Sequence, residues 1–156
     1  LNEILTDGES SPLFQKMVKE LEIATDTWGW IASFHDPGLW EIGVSLLPGK
    51  KAKDAEKAAD ELFTSILGSG ATVRALEKAK NGMEAGTLRM MAGTSPRARG
   101  LGEAAVLQGR WQCFFEESEL LQTVTIDDVA RVASRYLRKE NRTVLYTLPN
   151  KGDEAP

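Results

Sequence analysis

The sequence is short of the residues that build most hydrolytic sites: among 156 residues there is one histidine, His35, and one cysteine, Cys113. A catalytic zinc site takes three protein ligands, usually with at least two imidazoles or thiolates at short spacing. Neither His-Glu-x-x-His nor its inverse, His-x-x-Glu-His, occurs, so zincin chemistry has no ligand set in this chain. A serine or cysteine nucleophile needs a base beside it, and only one imidazole is present to serve. The lone cysteine excludes an intrachain disulfide and leaves the compartment undetermined. No apolar run approaches the roughly 20 residues of a membrane span, and no signal peptide is read at the start. A surplus of one charge is missing too: 19 basic and 23 acidic residues give a net charge of −4. The basic residues are scattered rather than gathered in a stripe, which argues against a nucleic-acid surface.

What is present suits one core. The length is that of a single domain, and 42% hydrophobic residues suffice to fill it. Leu1, Ile4 and Leu5 have helical spacing before Gly8, like the last turns of a helix belonging to something longer, so the chain is expected to be a fragment. Ser10 or Ser11 can cap a second helix with Pro12 in its first turn. Leu13, Phe14, Met17, Val18 and Leu21 would supply its buried face, and it should end near Glu22. Residues 23–34 and 39–47 are rich in β-branched and aromatic residues and flank the turn signal Asp36-Pro37-Gly38, which predicts an antiparallel hairpin. Trp40, Ile42, Val44 and Leu46 alternate with Glu41, Gly43, Ser45 and Leu47, so helices are wanted on one side of the sheet only.

Helical spacing resumes over 52–68 through Ala55, Ala59, Leu62, Phe63 and Ile66. A longer helix is expected over 72–93, with Val73, Leu76, Ala79 or Lys80, Met83 and Met90 on one face, and with a kink or close packing at Gly82 and Gly86. Thr94-Ser95-Pro96 restarts a helix carrying Leu101, Ala104, Ala105 and Leu107 towards the aromatic cluster Trp111, Phe114 and Phe115. A short acidic helix over 116–122 follows. Thr125 then caps a helix, with Asp128 three residues on in the place of the usual Glu, and Val129, Val132, Ala133 and Tyr136 give it an apolar face. After the charged break 138–141, residues 143–148 read as a buried strand stopped by Pro149. The expected fold class is α+β: an antiparallel sheet with several helices packed on one face, as a single domain over 1–149 truncated at its N-terminal side, followed by a polar tail or linker over 150–156.

Candidates for chemistry each have a plainer reading. His35, beside Asp36-Pro37, is a loop histidine, and Cys113 is a small buried hydrophobe. Gly68-Ser69-Gly70 and Gly100-Leu101-Gly102 match no phosphate-binding loop and are expected to end helices. Glu116, Glu117 and Glu119 form a solvated helix face. Trp28, Trp30 and Trp40 could wall a peptide site, with core packing under the helices the favoured alternative. No catalytic, cofactor-binding or metal-ligating residue is assigned.

The segments ILTDGESSPLFQKMVKE, HDPGLWEIGVSLLPG, ALEKAK, QGRWQCFFEESELLQTVTIDDVARVASRYL and NRTVLYTLP resemble, in order and spacing, the later half of an inactive-type domain of the pitrilysin/insulinase family of zinc metallopeptidases. The likeness is strongest to multidomain bacterial zinc proteases. It implies that zinc belongs to the catalytic domain of the parent protein and that this chain binds none. It further implies a catalytic domain, in the same chain or in a partner subunit, as the partner, with peptides as substrates. Many members hold the peptide with an Arg and a Tyr seven positions apart; here those positions fall on Val18 and Thr25, so that role does not carry over. The resemblance supports a non-catalytic domain that helps to enclose and bind peptides, or else a catalytically inactive structural or assembly subunit. A third reading, outside the family, is a free-standing small-ligand module walled by the aromatic hairpin.

Overall fold

The computed structural model describes residues 1–32 and 34–148. The expected tail, 150–156, and the expected strand stop at Pro149 lie outside them. Helix α1 (Asn2–Thr6) ends where Gly8 turns the chain with φ 73°, in the left-handed region that glycine adopts without a Cβ penalty. Ser11, rather than Ser10, caps α2 (Pro12–Phe14), its Oγ accepting from the Phe14 amide at 3.4 Å. The helix continues as a π-helical segment, Gln15–Glu20, a winding that the hydrophobic spacing does not encode. Leu13 and Met17 are buried as expected, but Leu21 is not: it follows the last helical residue, and the chain swings away at Glu22, where φ is 48°.

The predicted hairpin forms from β1 (Ala24–Ile31) and β2 (Trp40–Leu46), paired antiparallel with Thr27 opposite Val44 and Ile31 opposite Trp40. Thr25 is an extra residue in β1, since Ala24 pairs with Leu46 and Asp26 with Ser45; its Oγ1 donates to the Ser45 carbonyl at 3.1 Å. Ile42, Val44 and Leu46 cover the buried cluster of Leu13, Met17, Ile23, Ala24, Ala55 and Ala58, the last two from α3 (Ala52–Ser69). α1 crosses the same face of the sheet. Gly29 passes so close beneath it that a Cβ there would lie 2.4 Å from Thr6 Oγ1, and Trp40 Nε1 donates to Asn2 Oδ1 at 2.8 Å. Gly70, at φ 74°, ends α3.

The expectation of helices on one face holds for α1, α2 and α3. The remaining helices form a second layer: α4 (Val73–Ala92) packs on α1, α5 (Thr94–Leu107) and α6 (Cys113–Thr123) pack on α4 and on each other, and α7 (Ile126–Tyr136) packs on α3. Thr72 caps α4 by accepting from the Ala75 amide at 3.1 Å. The helix runs through Gly82 and Gly86 unbroken, and nothing lies within 4 Å of a Cβ placed at Gly86, so the close packing expected there is not made. Val73, Met83 and Met90 are exposed where a buried face was expected. α4 is tethered instead by lysines: Lys78 Nζ donates to Ser10 Oγ at 2.7 Å, and Lys80 Nζ to the Gln122 carbonyl at 2.8 Å.

The α7 start is the predicted capping box, with Thr125 Oγ1 accepting from the Asp128 amide at 3.2 Å and Asp128 Oδ2 accepting from the Thr125 amide at 3.1 Å. Val129 and Ala133 are buried, while Tyr136 is turned outward. The strand expected over 143–148 is not formed. After a 3-10 turn (Lys139–Asn141), residues 142–148 pair with no strand among the described residues, and Leu145 and Leu148 are 87% and 74% exposed. β-Propensity describes a fit to a pleated surface, and this segment lies beside α3, whose backbone groups are already spent within the helix. Side chains hold it there instead.

Candidate functional site

The sites considered from sequence end up far apart. His35 sits on the loop between β1 and β2, exposed, with Nδ1 3.8 Å from an equally exposed Asp36 carboxylate. Cys113 opens α6 and is half-buried. Among the described residues no group of three or more His, Cys, Asp or Glu side chains could hold a metal ion. One imidazole on an open loop and one thiol on a different element do not make a zinc donor set, so the described residues do not fit the zinc that the resemblance implies for the parent protein. Glu116, Glu117 and Glu119 are all exposed, with Glu116 held by Arg110 at 2.6 Å. Gly100 and Gly102 lie inside α5 rather than at its end; a Cβ on Gly100 would come within 2.4 Å of the Phe114 ring, so this glycine admits an aromatic side chain. Val18 packs against the core, and Thr25 is the bulge residue.

The tryptophans reverse the favoured reading. Trp40 is half-buried against α1, but Trp28 and Trp30 are 46% and 54% exposed on the sheet face turned away from the helices. Asp26, Trp28 and Trp30 form one row along β1, facing Ser45, Gly43 and Glu41 of β2. Gly43 is the floor on which the Trp28 indole lies: a Cβ there would fall 2.1 Å from the ring. Only Gly fits under an indole so placed. The described sheet has two strands, so each has an outer edge with no strand beside it among the described residues, although on the β1 edge the Gly29 carbonyl accepts from Asn2 Nδ2 at 3.5 Å. Unpaired amides and carbonyls on such an edge are a template for an extended chain.

A second cluster had no signal in the sequence, because it joins α3 to residues between 79 and 90 positions further along the chain. Glu56 and Asp60, four apart on α3, receive the Arg142 guanidinium, Lys139 reaches Asp60 at 3.0 Å, and the Tyr146 hydroxyl donates to Glu56. Arg142's hydrogen bond, more than that of Lys139, holds the Asp60 carboxyl below the usual range, while the bond to Glu56 and partial desolvation raise the Tyr146 phenol. This cluster fastens the end of the chain and presents no cleft.

Residues 1–83 match the family described as the peptidase M16 inactive domain. The chain belongs to that family. The resemblance to pitrilysin/insulinase metallopeptidases is thereby borne out, and solved structures extend it over nearly the whole length. A presumed zinc protease from Bordetella pertussis Tohama I is 28% identical with a TM-score of 0.84, over 96% of this chain and 81% of that one. The inactive peptidase domain of a presumed zinc protease from Bordetella parapertussis is 26% identical with a TM-score of 0.86, over 97% and 82%. The mitochondrial-processing peptidase subunit beta of Lentinula edodes is 25% identical over 138 residues, which is 83% of this chain and 28% of that protein. The chain thus spans little more than a quarter of the curated relative it matches. No helix among the described residues is long and apolar enough to cross a membrane.

Proposed function

We propose that this chain is a non-catalytic domain of a longer zinc-dependent metalloendopeptidase, where it helps to enclose and bind peptide substrates beside a catalytic domain in the same chain or a partner subunit. The observation that carries the reading is the hairpin of a member of the inactive-domain family, whose outer face exposes Trp28 and Trp30 and whose β2 has no strand along its outer edge among the described residues. An extended peptide added to such an edge gains main-chain hydrogen bonds irrespective of its sequence, which suits a surface that must accept many substrates. Cleavage itself belongs to the catalytic domain and its zinc, and this chain contributes shape and contact.

The test is backbone amide exchange of the full chain with and without a neutral, unstructured peptide. Protection that appears along Ala24–Ile31 or Trp40–Leu46 supports strand addition. No change in these strands, together with neither zinc nor chelator-sensitive cleavage in the parent protein, transfers the chain to the alternative role of an inactive assembly subunit.

A further inference from the structure

We draw no further inference here: the strongest candidate, the surface patch where the exposed rings of Trp111 and Phe115 stand edge to face at the start of α6, carries nothing, because nothing in the structure shows what covers it.

Discussion

The hairpin and the helices on its inner face hide Leu5, Leu13 and Met17 almost completely, whereas α4, the longest helix, buries no residue and shows Val73, Leu88 and Met90 to solvent. The first region is held by a contiguous apolar cluster. The second is held by caps, lysine tethers and one aromatic seam between α5 and α6, where Phe114 packs on Gly100. Helices of comparable regularity thus rest on different interactions, and the difference predicts how each region fails. A cavity in the cluster is felt throughout, while the loss of a tether or cap is felt locally.

The strongest way to sharpen this contrast is Met17→Ala, which removes a fully buried side chain and should cost about 2–5 kcal/mol in denaturant unfolding followed by tryptophan fluorescence. Gly100→Ala tests whether the second region has any close packing of its own: its Cβ would collide with the Phe114 ring, and the strain should cost about 1–3 kcal/mol in the same assay. Thr125→Ala removes the cap hydroxyl of α7, with an expected loss of about 1 kcal/mol and faster amide exchange confined to α7. The same cap has a pH signature. The Thr125 hydrogen bonds, then Arg131, hold the Asp128 carboxyl at about 2 against an ordinary 3.8. Its contribution is therefore complete above pH about 4 and is lost as pH falls towards about 2, so α7 exchange should accelerate across that acid window. Asp60→Asn discharges the acceptor shared by Lys139 and Arg142; discounted for solvent screening it should cost about 0.5 kcal/mol, with residues 142–148 released in proteolysis or NMR relaxation while the hairpin is unaffected. Met83→Ala, on the exposed side of α4, should change stability by less than about 0.5 kcal/mol. A loss comparable to that of Met17→Ala would break the comparison.

Local chemistry was legible in the sequence. A serine before Pro12, the Thr125–Asp128 reciprocity and the turn signal at 36–38 each rest on neighbours in the chain: the cap falls on Ser11, one of the two serines offered, the capping box forms as read, and 36–38 lie in the loop that joins the two paired strands. What could not be read is which surfaces another element covers. Val73, Met83 and Met90 of α4 have helical spacing but stay exposed although α1, α5 and α6 pack on that helix, and residues 143–148 have strand composition but lie beside a helix. The indoles of Trp28 and Trp30 have the volume of core residues, and only the side chosen by the helices leaves them in water. The candidate face was thus visible as residues, and its exposure was not; the cluster around Asp60 was visible as neither.

A strand keeps count in twos, and Thr25 changes its parity. Ala24 and Trp28 are both even-numbered, so an uninterrupted β1 would send them to the same side, and Trp30 and the Asp26 carboxylate with them. The added residue lets one strand fill the interior at its beginning and display indoles along the rest. Insertion or loss of a single residue at this point would toggle the hairpin between storing its tryptophans and showing them, a choice made by arithmetic and not by the identity of any aromatic residue.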